Sequence, residues 1–233
     1  MRLAAALAGL LACAAPAAAQ QIVDASYAEP TTRYAHGVLG DAVEYGALVL
    51  ALSDGTARRV VLPERRVFED TAPRLHDLDG DGAPEVIAVE SDAGRGARLS
   101  VYGPGGLVAA TPFIGTRFRW LAPAGAADLD GDGHVEVAYV DRPHLAKTLR
   151  VWRFRDGRLE QVATLAGLTN HRIGERDIAG GIRDCGAGPE VITADADWSR
   201  VMATRLAEDG LTSRAIGPHR DRDSFAAALA CAY

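Results

Sequence analysis

An acidic hexapeptide, Asp-Leu-Asp-Gly-Asp-Gly, occurs twice in this chain, at Asp77–Gly82 and at Asp128–Gly133, and it limits the possible folds more than any other feature. The copies begin 51 residues apart, and each is followed by a glutamate at its ninth position (Glu85, Glu136). Nine of the thirteen residues counted from the first aspartate are the same in both. Carboxylates at positions 1, 3 and 5 suit a hard cation that takes oxygen ligands at about 2.3–2.6 Å. The glycine at position 6 lets the backbone turn sharply around such an ion. Position 7 (Ala83, His134) would offer only its carbonyl, so its side chain is free to differ. A solvated acidic turn is the plain alternative, and two near-copies in one chain weigh against it.

The residues after each loop separate it from an EF-hand, which needs flanking helices and a bidentate glutamate at position 12. Position 12 here is Ala88 or Tyr139, inside Glu85-Val-Ile-Ala-Val-Glu90 and Glu136-Val-Ala-Tyr-Val-Asp141. Short runs rich in β-branched residues read as strands. An aspartate loop that enters a strand and takes its last carboxylate at position 9 resembles the calcium loops of FG-GAP/VCBS repeats. These are the β-propeller blades of integrin α-chains and of many secreted bacterial proteins. The expected ligands are Asp77, Asp79, Asp81, the Ala83 carbonyl and Glu85 for one Ca²⁺, and Asp128, Asp130, Asp132, the His134 carbonyl and Glu136 for a second. Loops of this kind outside the cell bind calcium weakly, at about 10⁻⁴–10⁻³ M, which suits a structural role. The resemblance further implies a binding module in which calcium stiffens a blade and the opposite face meets a partner. Integrin ligand recognition does not carry over, since it needs a larger propeller and a second subunit.

Period decides the architecture of a repetitive chain. The second unit reads as strands at Pro73–Leu78, Glu85–Glu90, Arg98–Tyr102 and Leu107–Pro112. The third reads as strands at Gly125–Leu129, Val135–Asp141, Thr148–Arg155 and Leu159–Leu165. A decayed copy follows, in which Gly188-Pro-Glu-Val-Ile192 matches Ala83-Pro-Glu-Val-Ile87 but positions 1 and 5 are Ile182 and Gly186. A fainter copy leads up to Glu44, with His36, Val38 and Gly40 at its loop positions. Neither has the carboxylates to hold a cation. The expected fold is all-β: one domain over residues 20–233, a small β-propeller of four four-stranded blades at about 31–66, 67–115, 116–167 and 168–217, with a tail at 218–233. Gln21–Ala28 or Ser224–Tyr233 is expected to complete a blade and close the ring. Five blades, or a two-sheet sandwich, are the alternatives.

Residues 1–19 have one arginine, an apolar stretch and Ala17-Ala18-Ala19, the pattern of a secretory signal with its cleavage site. Lipoprotein processing at Cys13 is the competing reading. Export would favour a disulfide between Cys185 and Cys231. The net charge is −6 and basic residues are scattered, so nothing points to nucleic acid. No segment beyond the signal is apolar and long enough for a transmembrane helix.

In an antiparallel meander the acidic loops leave at one end, and the blade-to-blade and 2–3 connections leave at the other. That second end gathers Arg117, Arg119, Trp120, Arg142, His144, Asn170, His171, Arg172 and Trp198. Aromatics mixed with arginines suit a binding surface for a protein partner or an anionic or carbohydrate-like ligand. The competing structural reading has the tryptophans plugging gaps between blades. A hydrolase-like active site around His171, with Glu175 or Asp177, is the enzymatic alternative. No nucleophile elbow, His-Glu-x-x-His or phosphate loop accompanies it, so a non-catalytic role is expected.

Overall fold

In a computed structural model residues 20–233 are described. The signal peptide and Cys13 readings lie outside those residues. Four meandering units follow one another. Unit 1 comprises β1 (Ile22–Thr31), β2 (Glu44–Leu52) and β3 (Ala57–Val61). Unit 2 comprises β4 (Arg66–Phe68), β5 (Arg74–His76), β6 (Glu85–Asp92), β7 (Gly96–Gly103) and β8 (Gly106–Ala110). Unit 3 comprises β9 (Leu121–Ala127), β10 (Glu136–Asp141), β11 (Thr148–Arg155) and β12 (Arg158–Ala166). Unit 4 comprises β13 (Leu168–Thr169), β14 (Gly181–Asp184), β15 (Pro189–Asp195), β16 (Arg200–Ala207) and β17 (Gly210–Pro218), followed by helix α1 (Arg222–Leu229). The result is an all-β, propeller-like fold in which all the strand pairs are antiparallel.

The strand after each loop position is the deepest in its unit. Every residue of β6 and β10 is buried, because both faces of these strands meet apolar neighbours. That explains the apolar runs at 86–89 and 137–140, while the buried carboxylates at the strand ends are held by ion pairs and hydrogen bonds. Units 1 and 2 merge into one eight-stranded sheet through short β4, which pairs with β6 and also meets β2 at Tyr45↔Phe68. Units 3 and 4 form separate sheets of four and five strands.

The buried side chains explain the order of the units. Leu48, Leu50, Phe68, Val86 and Tyr102 fill the gap between units 1 and 2. Ile87, Leu99, Trp120, Leu121, Tyr139 and Trp152 fill that between units 2 and 3. Ala138, Val140, Leu149, Leu168 and Val191 fill that between units 3 and 4. The fourth cluster joins Ile192, Val201 and Ala203 not to unit 1 but to Phe225 and Ala228 of α1. None of these clusters combines strands of units 4 and 1, so the units curl round as an arc whose last face is capped by a helix.

Two end segments behave differently from each other. Ile22–Thr31 is the strand that pairs along β2 and completes unit 1. Ser224–Tyr233, in contrast, completes no blade, so of the two end segments expected to do so it is the first that does. Asp221 caps the helix, accepting from Ser224 N while the Ser224 hydroxyl reaches back to the cap backbone. Cys185 and Cys231 form a disulfide with a Cα–Cα distance of 5.8 Å, tying the tail to the decayed loop of unit 4. Loop 32–43 links the ends of the arc, with Gly174 N donating to Val38 O at 2.9 Å. Among the described residues no helix is long and apolar enough to cross a membrane.

Candidate metal centres

The first acidic loop joins β5 to β6 and the second joins β9 to β10, and both are held by the same set of hydrogen bonds. In the first, Gly80 N and Gly82 N donate to the two oxygens of Asp77 at 2.8 and 3.0 Å. Asp81 N donates to Asp79 Oδ1 at 3.2 Å, Ala83 N to Asp81 Oδ1 at 2.8 Å, and Leu78 N to Glu85 Oε2 at 2.9 Å. The second repeats this through Asp128, Asp130, Asp132 and Glu136, at distances between 2.8 and 3.3 Å. Gly80, Gly82, Gly131 and Gly133 all have φ between 76° and 88°, a left-handed conformation that a side chain resists. Leu78 and Leu129 turn inward and anchor the loops to the core.

This geometry brings one oxygen each of Asp77, Asp79 and Glu85 within 4.8 Å of one another, and likewise Asp128, Asp130 and Glu136. All six are hard carboxylate donors, the chemistry that calcium or magnesium takes and that soft metals do not require. The donor sets therefore fit a divalent cation. Asp81 and Asp132, at position 5, are exposed and lie outside these tight groups. The Ala83 and His134 side chains make no contribution, as their position-7 role requires only a carbonyl. Burial pushes the Glu85 and Glu136 carboxyls up, and in Glu85 the neighbouring Asp79 and Asp81 add to it. A bound cation would offset that repulsion.

The two loops differ in one respect. In the second, Arg153 of β11 lies across the carboxylates, donating through Nε to Glu136 Oε1 at 2.6 Å and pairing through Nη1 with Asp132 at 2.8 Å. Its Nη2 also reaches Asp130. Among the described residues no ion pair reaches Asp77, Asp79, Asp81 or Glu85. In unit 4 Asp184 alone accepts from Gly186 N and Gly188 N, and Glu190 is surrounded by Arg183, Arg205 and Arg214. Guanidinium groups stand there in place of the missing carboxylate partners' cation.

The opposite end is less of a surface than the sequence suggested. Trp120, Asn170 and His171 are at most 2% exposed. Trp120 Nε1 donates to Glu69 O at 2.9 Å, and Asn170 Nδ2 lies 3.2 Å from Ala122 O. His171 uses both ring nitrogens inside the protein, at His144 and at Glu175 O. These three are interior residues that join neighbouring units, which corrects their assignment to a ligand face. Arg119 and His144 are half-buried. Arg142 is also half-buried and folds back onto Asp141. Arg117 lies over Phe118, and Arg172 over Trp198 at 4.3 Å, leaving these arginines exposed. Sequence reasoning passed over the exposed apolar residues of the same connections, Phe118, Leu145 and Ile173. It also missed the pair of half-buried His36 and buried Glu69, joined at 2.6 Å and bonded further to Ser91.

Comparison with known proteins agrees with the loop geometry. Residues 77–139, which span both acidic loops and the strands between them, match the FG-GAP-like repeat. No curated protein matches the chain. A crystal structure of rhamnogalacturonan lyase YesW is among the solved structures the chain is similar to, with a TM-score of 0.45 and 18% identity, over 86% of this chain and 50% of that one. The chain thus spans about half the length of that structure.

Proposed function

We propose that this chain is an exported, calcium-stabilised β-propeller-like module whose task is to bind a protein partner, without catalysis. The observation that carries the calcium half is the pair of all-oxygen clusters, each built by an identical set of backbone hydrogen bonds within an FG-GAP-like repeat. Calcium accepts irregular oxygen cages of this kind, whereas magnesium demands a tight octahedron and keeps its waters. The Cys185–Cys231 bond fits an oxidising compartment.

A protein partner is supported by what remains exposed on the connections opposite the loops. Phe118, Leu145 and Ile173 are 41–72% exposed there, beside Arg117 and Arg172. Large apolar side chains mixed with arginine suit a protein surface better than a sugar. The buried, fully engaged His171 has no open route to a substrate, which supports the non-catalytic reading.

Titration calorimetry with calcium tests the first half: two binding events and a melting temperature that rises with free calcium are expected. No heat up to several millimolar calcium would remove the assignment. For the second half, recovery of a partner from a periplasmic extract should fall when Leu145 and Ile173 are both changed to glutamate. Undiminished recovery would place the binding face elsewhere.

A further inference from the structure

We infer that Arg153 is a tethered counter-cation that makes the second acidic loop the weaker calcium site, so that two nearly identical loops fill in order. The inference rests on the calcium reading above and concerns what this chain's own residues do to it.

The strand register brings the residue facing position 9 to a comparable place in each unit. Glu136 pairs directly with Arg153. In unit 4 the pair Val191↔Thr204 places Arg205 across from Glu190, and its Nε donates to Glu190 Oε1 at 2.6 Å. In unit 2 the pair Val86↔Tyr102 places Gly103 across from Glu85. The three units thus form a series. Unit 2 has a full set of carboxylates and no facing cation. Unit 4 has an arginine and has lost the carboxylates of positions 1 and 5. Unit 3 has both.

Both features of unit 3 act on one ion. Arg153 touches Asp130, Asp132 and Glu136, and two of these belong to the cluster that would hold calcium. A cation entering the second loop must displace or be repelled by the guanidinium, whereas the first loop offers its carboxylates outright. Arg153 is only 19% exposed in its side chain, so its charge is weakly screened. A like charge within a few ångströms of the ion lowers affinity by about tenfold or more, once the solvent on the open side of the loop is counted. In exchange, Arg153 steadies the second loop when calcium is scarce, a role that no cation among the described residues performs for the first.

The test uses the full chain in two single-loop forms. Asp130→Asn with Asp132→Asn leaves only the first loop, and Asp77→Asn with Asp79→Asn leaves only the second. Calorimetry at fixed pH and ionic strength should give the first loop an affinity about tenfold higher. Adding Arg153→Gln to the second-loop form should bring the two affinities within about threefold, while Arg153→Lys should leave the gap. In chelator, Arg153→Gln should melt below its parent. Should R153Q fail to fold, Arg153→Met keeps the aliphatic stem and gives the same affinity reading. Equal affinities in the two single-loop forms, or an R153Q form that binds no better than its parent, overturn the role given to Arg153 and leave the calcium reading intact. Absence of heat from both single-loop forms and from the parent chain removes the calcium reading itself. Placing an arginine at Gly103 is a poorer experiment, because its Cβ would meet Val108 Cγ2 at 3.1 Å.

Discussion

His144 Nε2 lies 3.1 Å from His171 Nδ1, and the remaining nitrogen of His171 fixes the direction of that bond. His171 Nε2 faces the Glu175 carbonyl at 2.9 Å, and a carbonyl only accepts. Nε2 therefore carries the His171 proton, Nδ1 accepts, and His144 donates. The pair is built for two neutral rings.

Acid should break this arrangement. Burial pushes the His144 imidazole down to about 4, helped by the proximity of His171 and His36. Burial lowers His171 as well. A histidine whose folded value lies below its unfolded value of about 6.5 binds fewer protons in the native state. Its stability contribution is complete above pH 6.5 and is lost as pH falls towards 4. Chemical denaturation at intervals between pH 7.5 and 4 should show that loss. His144→Gln should be about 1 kcal/mol less stable at neutral pH and should flatten the acid limb.

Glu44 predicts the opposite slope. It is buried at the head of β2, and its carboxyl is pushed up to about 9 by burial first and then by Glu69, Asp41 and Asp70. A carboxyl raised above its unfolded value favours folding fully below about pH 4.5 and loses that contribution as pH rises towards 9. Glu44→Gln should melt with the parent at pH 4 and roughly 5 °C above it at pH 8. A variant that melts lower at pH 8 would mean that the carboxylate has a partner.

How much of this could be read from the chain depends on how local the signal is. The loops were legible because their chemistry is set by residues within nine positions and repeats. The strands at Glu85–Asp92 and Glu136–Asp141 were legible for the same reason. The sequence leaves Gln21–Ala28 and the tail as rivals for the strand that completes a blade, since the burial of β1 alternates irregularly and its partner lies across the loop at 32–43. Helix α1 escaped although Asp221 and Ser224 are capping residues, because an alanine-rich segment of eight residues has no strong periodicity. Trp120 and His171 looked like rim residues because they sit on connections. Only the tertiary fold shows those connections turning inward. Arg153 is the clearest case: its link to Glu136 spans 17 positions and follows from strand register alone.

The tail should depend on its covalent tether. Cys185 and Cys231 are 46 residues apart, and closing a loop of that size restricts the unfolded chain by about 4 kcal/mol on the chain-entropy account. Cys185→Ser with Cys231→Ser should lower the melting temperature markedly and increase hydrogen exchange in α1 first. Since α1 covers Ile192, Val201 and Ala203, its release would expose the last apolar face of the arc and promote association.

Truncating residues on the face opposite the loops should divide them into two groups. Trp120→Ala removes a buried ring and its bond to Glu69 O, at a cost of about 3–5 kcal/mol. Arg117→Ala and Ile173→Ala, both at exposed positions, should change stability by no more than about 0.5 kcal/mol. Urea titration of the three variants gives the comparison directly. A loss of several kcal/mol at Ile173 would show it to be part of the fold and unfit as a docking residue.

Glu190 shows what the fold does with a loop that has given up two of its four carboxylates. Burial would raise this carboxyl, but hydrogen bonds from Arg214, Arg205 and Arg183 outweigh that and hold it down at about 2. A depressed carboxylate contributes stability that is complete above about pH 4.5 and lost as pH falls towards 2. Arg183 is itself buried, with Nη1 donating to Ala228 O of α1 at 2.7 Å, so it would be left charged and without its counter-ion in Glu190→Gln. Breaking a buried pair from one side costs about 3–5 kcal/mol. The exposed Arg205 and Arg214 can turn to water, which places the expected loss near the lower end. Added calcium should not restore Glu190→Gln, because unit 4 has no cage to fill, whereas it should restore any variant that merely loosens the first two loops. Rescue of Glu190→Gln by calcium would mean that the fourth unit also binds the ion.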